Sequence, residues 1–402
     1  MSKRITPLFA SLSFRDFRLL WSAQILSELG DWAARVALAV LVYERTQSRV
    51  LTAAVVAVGM LPWLGLGQAL ATLSDRYPRR AVMVAADVVR SGMYAGMIVV
   101  DSPWGLLTLA FVGAAATPPF EAARAAVIPD VVTEERYGDA LTLSNITYQS
   151  ILVLGYMMGG GLVAALGARM ALGVNAVTFL ASAAMIVAIR EGRVASTTRT
   201  IGSSLRTAMS TLLADPFLRR AAILTTVGSA SAIVGEALVA VHVKEVLHSG
   251  SGSIGVLAAM VPVGTIIASA IAPRHGPLRM RLRASAAITV VGATAAAVGF
   301  SLEPNFAASA ATYAALGVVF AALIPAYSFV GIRLPKEVRG SAFGLLQGTL
   351  LGGQALGSIL GGLLANVVGV PEASALALLP AIGYGMYALV VVPAEPVSEP
   401  AT

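Results

Sequence analysis

Long apolar stretches separated by short polar turns make up almost the whole chain. A helix that crosses the hydrocarbon core of a bilayer needs about 20 mainly apolar residues. Twelve stretches meet this requirement, which predicts an all-α integral membrane protein with twelve transmembrane helices. The predicted spans are 17–43, 50–72, 81–100, 104–127, 138–166, 169–189, 217–243, 252–273, 283–302, 306–331, 339–368 and 371–393.

Composition leads to the same class of protein and excludes several others. The chain is 57% hydrophobic and 12% charged, whereas soluble domains carry about 25% charged residues. The net charge of +7 does not indicate nucleic-acid binding, because the positive residues fall in short loops between apolar runs. There is no cysteine, and three scattered histidines form no local metal-binding pattern. Gly250, Gly252 and Gly255 spell G-x-G-x-x-G, but they open a predicted membrane span instead of following a strand, so we interpret them as a chance match. The chain lacks the Walker lysine motif and the common hydrolase motifs, so we expect a protein that is not an enzyme.

The distribution of Lys and Arg predicts the orientation of the chain. Cytoplasmic loops carry an excess of these residues. With a cytoplasmic N-terminus and twelve spans, both termini are cytoplasmic, and all but five of the 28 Lys and Arg residues lie on or near the inner side. The five exceptions are Arg35, Arg45, Arg49, Arg169 and Lys244.

The middle of the chain divides it into two similar halves. The longest polar interruption, 190–216, is predicted to be a cytoplasmic linker, in part an amphipathic helix, between six-helix bundles at 1–189 and 217–402. Glycines recur in the two halves at an offset of 202 residues, which indicates a duplication. Small residues let helices approach closely, and such a smooth face also lets helices slide. The matched glycines are Gly155, Gly159 and Gly160 in the first half and Gly357, Gly361 and Gly362 in the second.

The polar turn ATLSDRYPRR, residues 71–80, resembles the loop between helices two and three of the major facilitator superfamily. Ala71 and Pro78 stand where that family usually has glycines. The branch that the chain resembles is that of drug, macrolide and siderophore exporters, similar to the enterobactin exporter. The residues that fit the family pattern are Asp75, Arg76, Arg79, Arg80, Asp87 and Arg90.

This resemblance implies a fold, an activity and a location. The fold is two six-helix pseudo-repeats, and the activity is export of an amphipathic small molecule in exchange for protons. The energy source is then the proton gradient, with no bound cofactor or metal. The expected protein is a monomer in a bacterial cytoplasmic (inner) membrane.

The resemblance also implies a cytoplasmic gate. The Asp75 turn is expected to contact the start of the eleventh helix near Arg339 and to hold the outward-open state. The alternative is that the turn is only a positive-inside topology signal, which would need the arginines but not Asp75.

The first predicted span contains three ionisable residues on one helix face, Glu28, Asp31 and Arg35. Charges at mid-span cost about 2.5–3.5 kcal/mol each on insertion scales, so this face should point into the bundle or a watery cavity. Asp31 and Arg35 can pair across one turn. Glu28 is then the acid expected to take up and release a proton, although the resemblance does not decide between Glu28 and Asp31. The alternative is an ion-pair cluster that only fixes helix packing.

Further charges in the predicted spans are weaker candidates. Glu121 and Arg124 can pair near the cytoplasmic end of the fourth span, as a gate or as a structural pair. Glu236 is a candidate proton or cation site in the seventh span, or an acid near its outer end that reaches water. Pro118 and Pro119 predict a kink in the fourth span.

Two other functions remain open at this point. The first is a facilitator, importer or lipid flippase on the same fold, for which transport would be independent of pH or of opposite direction. The second is a membrane sensor or scaffold that transports nothing. A sensor or scaffold gives no reason for acids inside the membrane spans, which usually have a function.

Overall fold

A computed structural model of the chain describes residues 9–64, 70, 73–190, 201–272, 278–302, 305–334 and 339–391. These residues form helices and connecting turns and contain no strand. The helices are α1 (Arg15–Thr46), α2 (Arg49–Met60), α3 (Leu73–Arg76), α4 (Arg79–Val99), α5 (Pro103–Ala115), α6 (Thr117–Val131), α7 (Glu134–Leu166), α8 (Ala168–Val187), α9 (Ile201–Ala214), α10 (Pro216–Ala237), α11 (Val239–Val241), α12 (Ser251–Ile271), α13 (Leu278–Ser301), α14 (Phe306–Ala321), α15 (Leu323–Arg333), α16 (Arg339–Val368), α17 (Val370–Ala377) and α18 (Leu379–Val390).

Ten helical stretches in the described part of the chain are long and apolar enough to cross a membrane. They coincide with the third to twelfth predicted spans, so a multi-pass helical membrane protein is confirmed. Helix α1 is 32 residues long, but its central charges make it too polar for the same criterion. Helix α2 and a 3-10 turn at Leu61–Trp63 precede residues outside the described part. The number twelve therefore stays a prediction.

The chain forms two compact units. The first consists of Met1–Arg199 together with Val239–Ala259, and the second of Thr200–Leu238 and Met260–Thr402. The segment at 239–259 contains α11, a π-helical turn at His242–Val246 and the start of α12. The boundaries of the two six-helix bundles at 189 and 217 therefore stay a prediction.

Each unit is built around one long helix. In the first unit α1 packs against α7 and α8, and α8 also packs against α4. In the second unit α10 packs against α16, and α13 packs against α14 and α18. Phe17, Met83 and Ile186 lie in a buried apolar cluster of the first unit, and Phe217 and Leu282 lie in one of the second.

The kink predicted from Pro118 and Pro119 is a break between α5 and α6. The backbone N–H of Ala116 donates to the carbonyl of Gly113, and Pro118 occupies the first turn of α6. Proline is tolerated there because first-turn N–H groups have no partner inside the helix. Similar breaks at Ala322 and Leu378 separate α14 from α15 and α17 from α18.

The predicted linker is helical in its second part. Helix α9 covers Ile201–Ala214 and packs against α16. The side chain of Asp215 follows α9 and accepts from the backbone N–H groups of Phe217 and Leu218, so it caps α10. Residues 191–200 lie outside the described part.

Candidate functional site

A line of polar side chains joins α1 to α6 inside the first unit. Arg124 forms an ion pair of 2.6 Å with Glu121, as its spacing predicted. The same guanidinium donates through Nη1 to Oε1 of Gln24 at 2.8 Å. The amide nitrogen of Gln24 donates to Oε1 of Glu28 at 3.0 Å. Glu28 is thus connected to Arg124 of α6 through one glutamine.

The second carboxylate oxygen of Glu28 has a different environment. Oε2 is buried and has no hydrogen-bond partner among the residues that the structure describes. A buried carboxylate oxygen without a donor has lost its hydration without compensation. This geometry suits an acid that binds a proton reversibly.

Asp31 lies in a second polar group on the same helix. The hydroxyl of Tyr94 on α4 donates to Oδ1 of Asp31 at 2.7 Å. Arg35 lies 3.6 Å from Oδ2, so the predicted pair across one turn is present. The guanidinium carbon of Arg35 lies 4.1 Å from the ring centroid of Trp32, which contacts Tyr156 edge-on. Asp31 and Arg35 keep 24% and 38% of their side chains exposed, so water or a small molecule can reach them.

The two acids of α1 therefore have separate partners. Glu28 contacts a neutral amide that is itself bound to Arg124, whereas Asp31 contacts a tyrosine and the Arg35 side chain. Asp31 thus has a direct arginine partner, whereas Glu28 reaches an arginine through an amide.

Asp87 and Arg90 form a buried ion pair in the core of the first unit. The two side chains are 2.7 Å apart, with 0% of Asp87 and 7% of Arg90 exposed. The hydroxyl of Ser182 donates to the other carboxylate oxygen of Asp87 at 2.7 Å. The guanidinium of Arg90 lies over the rings of Phe120 and Phe179. This pair connects α4 with α6 and α8 and is closed to solvent in the structure.

The other predicted gate residues lie at the start of α4. Arg79 donates to Oδ2 of Asp130 and to the carbonyl of Ala126, both at 2.7 Å. Arg80 donates to the carbonyl of Ile189 at 3.0 Å. Arg76 is exposed at the end of α3. Asp75 belongs to α3, but its side chain lies outside the described part, so its predicted latch contact stays a prediction.

Glu236 is half-buried near the end of α10 in the second unit. The neighbouring Gly235 carbonyl accepts from the hydroxyl of Tyr313 at 3.3 Å. The role of Glu236 as a proton or cation site stays a prediction.

The recurring glycines lie where long helices approach each other. A Cβ atom on Gly159 would be 2.7 Å from the Ala33 carbonyl oxygen in α1, and one on Gly155 would meet Trp32. In the second unit a Cβ on Gly357 would be 2.3 Å from the Ala230 carbonyl oxygen in α10. Two further glycines follow the same pattern, since Gly361 faces Val234 and Gly160 faces Gly255 within the first unit. Gly362 is buried in α16.

Sequence reasoning missed two residues of the site, Gln24 and Tyr94. Gln24 lies four residues before Glu28, so its place on the same helix face could have been noticed. Its second partner, Arg124, is 100 positions away. Tyr94 is 63 positions from Asp31 and belongs to another helix, so no local pattern reveals that contact.

The fold and the sequence are both similar to those of known transporters. A solved structure of a bacterial homologue of the human lysosomal transporter Spinster has a TM-score of 0.73 and 14% identity, covering 94% of this chain and 96% of that chain. The MFS-type transporter YfiS of Bacillus subtilis is 23% identical over 375 residues, with 90% of this chain and 89% of YfiS covered. The multidrug efflux pump Tap of Mycobacterium tuberculosis is 26% identical over 398 residues, with 92% of each chain covered.

A family model matches nearly the whole chain. The model described as transmembrane secretion effector matches residues 6–396, which include both units and every site residue described above. The relatives are membrane transporters and not enzymes, in agreement with the absence of a catalytic motif. The membrane-transporter class predicted from the Asp75 turn is confirmed. The chain thus belongs to the transmembrane secretion effector family within the major facilitator superfamily.

Proposed function

We propose that this transporter exports an amphipathic small molecule, such as a drug, antibiotic or siderophore, in exchange for protons. Glu28 takes up and releases the proton, and its charge state changes which side of the membrane the site faces. Asp31 and Arg35 contact the substrate, since their side chains stay partly exposed.

The observation that carries this proposal is the environment of Glu28. Its carboxylate lies inside a long helix of a membrane transporter, with one oxygen bound to a neutral amide and the other buried without a donor. Burying an ionisable group inside a membrane span costs free energy, and such groups are therefore candidates for a functional role. Relatives named as efflux pumps support export as the direction of transport.

The remaining features of the proposal follow from the sequence. Twelve spans place both termini in the cytoplasm of a bacterium, with the protein in its cytoplasmic membrane. Two six-helix bundles, 1–189 and 217–402, are joined by the linker 190–216. The working unit is a monomer that uses the proton gradient and no bound cofactor.

The proposal can be tested with inside-out vesicles that contain the wild type, Glu28→Gln or Asp31→Asn. The vesicles are energised, antibiotics, dyes and siderophores are added one at a time, and the internal pH is followed with a fluorescent probe. We expect at least one compound to release protons in the wild type and to release none in Glu28→Gln.

Two outcomes would contradict the proposal. If no compound of a broad panel moves protons while a labelled compound still crosses down its own gradient, the protein is a facilitator or flippase. If Glu28→Gln releases protons as the wild type does and Asp31→Asn does not, coupling depends on Asp31 instead of Glu28.

A further inference from the structure

Gln24 connects the proposed proton site on α1 to an ion pair on α6. We propose that Gln24 is a positioning residue that transmits the charge state of Glu28 to Arg124. This inference rests on the proposed proton coupling, but it assigns a role to a side chain that neither titrates nor needs to touch the substrate.

The geometry fixes the orientation of the Gln24 amide. Its oxygen accepts from Arg124 and its nitrogen donates to Glu28. The opposite orientation would place the NH2 group against a guanidinium, which has no acceptor, and the oxygen against a carboxylate, which has no donor. The side chain is 3% exposed, so water does not replace either partner easily.

The strength of these two bonds depends on the charge of Glu28. A hydrogen bond to an ionised carboxylate is roughly twice as strong as one between neutral groups. When Glu28 gains a proton on the free oxygen Oε2, the bond from Gln24 to Oε1 weakens. The amide can then turn, and Arg124 loses the partner that holds it to α1 while it keeps Glu121 on its own helix.

Other charged and titratable groups also face Glu28. Asp31 lies one turn away on α1, Glu121 and Arg124 face it from α6, and Tyr148 faces it from α7. These groups act on Glu28 through space, whereas Gln24 acts through a hydrogen bond. Removal of the Gln24 amide therefore changes the link between α1 and α6 without changing any formal charge.

The test variant is Gln24→Met, which keeps the length of the side chain but has no amide. Loss of a donor favours neutral Glu28, so the proton-loaded form persists to higher pH. We expect the pH profile of export in vesicles to move to higher pH by about half to one unit. The same substitution in a Glu28→Gln background should cause no displacement, because Gln24 acts through Glu28.

Two further variants serve as controls. Ser27→Ala removes a buried hydroxyl of the same helix that bonds a backbone carbonyl and not Glu28, so its pH profile should match the wild type. Gln24→Leu also lacks the amide and adds no charge. Its profile should move in the same direction as that of Gln24→Met, and it provides the test if Gln24→Met does not fold.

Infrared titration of the purified protein separates failure of this inference from failure of the proposed function. A neutral-carboxyl band that titrates in the wild type and is missing in Glu28→Gln establishes that Glu28 binds a proton. If that band is present and neither Gln24 variant moves it or the export profile, the inference is overturned alone. If Glu28→Gln leaves the infrared titration unchanged, the proposed proton site fails and the inference fails with it.

Discussion

Neutral donors accompany the acids in the interior of the first unit. Gln24 donates to Glu28, Tyr94 to Asp31, and Ser182 to Asp87. Such donors satisfy a carboxylate oxygen without adding charge, so they lower the cost of burial less than an arginine would. The acids differ in their access to arginine: Asp31 and Asp87 each pair with one directly, whereas Glu28 is bound to an amide.

At the residue scale, the sequence predicts contacts within one helix turn better than contacts between helices. The spacings of Asp31 with Arg35 and of Glu121 with Arg124 predicted the pairs that form. The link from Arg124 to Gln24 depends on how α6 lies against α1. That placement results from packing of many apolar side chains, which no local spacing encodes.

The buried pair of Asp87 and Arg90 leads to a prediction about stability. Asp87→Asn leaves the buried guanidinium without its counter-charge, which should cost on the order of 3 kcal/mol. We expect a clear drop in the melting temperature of the purified protein, measured by differential scanning fluorimetry.

Asp139→Asn is the matched control for Asp87→Asn. Asp139 pairs with Arg136 at the same three-residue spacing. The side chain of Arg136 is 40% exposed and that of Asp139 is 32% exposed. Exposed pairs contribute about 0–1 kcal/mol. Equal melting temperatures for the two variants would contradict the structural role of Asp87.

At the element scale, glycines determine how closely the long helices approach. The common offset of the glycines in the two halves indicates a duplication. In the structure α7 meets α1 at Gly159, and α16 meets α10 at Gly357. The sequence could predict a close contact at these positions, but not which helix forms the other side of it.

The close approach of α7 to α1 predicts a large effect of alanine at Gly159 and a small effect at Gly161. Gly159→Ala places a methyl group 2.7 Å from a backbone oxygen of α1, so it should force the helices apart and reduce both stability and export. Gly161→Ala lies on the same helix with nothing within 4 Å and should have little effect. Melting temperature and transport rate check both expectations, and equal behaviour of the two variants would contradict them.

The α3 turn provides a second prediction at this scale. If Asp75 is a latch and not only part of a topology signal, Asp75→Asn should insert normally and export more slowly. The arginines that set orientation remain in place, so expression and orientation should equal those of the wild type. If a well-expressed Asp75→Asn protein transports at the wild-type rate, Asp75 does not act as a latch.

At the scale of the whole molecule, charge distribution supports one orientation. Each of the five Lys and Arg residues that depart from the inside bias has a carboxylate partner: Arg35 with Asp31, Arg45 and Arg169 with Asp101, Arg49 with Glu245, and Lys244 with Glu44. Paired positive charges oppose the inside bias less than unpaired ones. The number of these residues can be read from the sequence, but their pairing depends on how the helices pack.

Orientation can be measured because the chain has no cysteine of its own. Gly138→Cys and Gly250→Cys each add a side chain where nothing lies within 4 Å of the new Cβ atom. In intact cells a membrane-impermeant maleimide should label Gly250→Cys and leave Gly138→Cys unlabelled until the cells are opened. The reverse pattern would overturn the proposed topology.

Glu28 is proposed to couple export to the proton gradient. The most direct measurement uses proteoliposomes with wild type or Glu28→Gln, a labelled substrate and an imposed pH gradient. We expect Glu28→Gln to exchange labelled for unlabelled substrate but not to accumulate it against a concentration gradient, because the charge at position 28 can no longer change. Accumulation by Glu28→Gln at the wild-type level would contradict the claim.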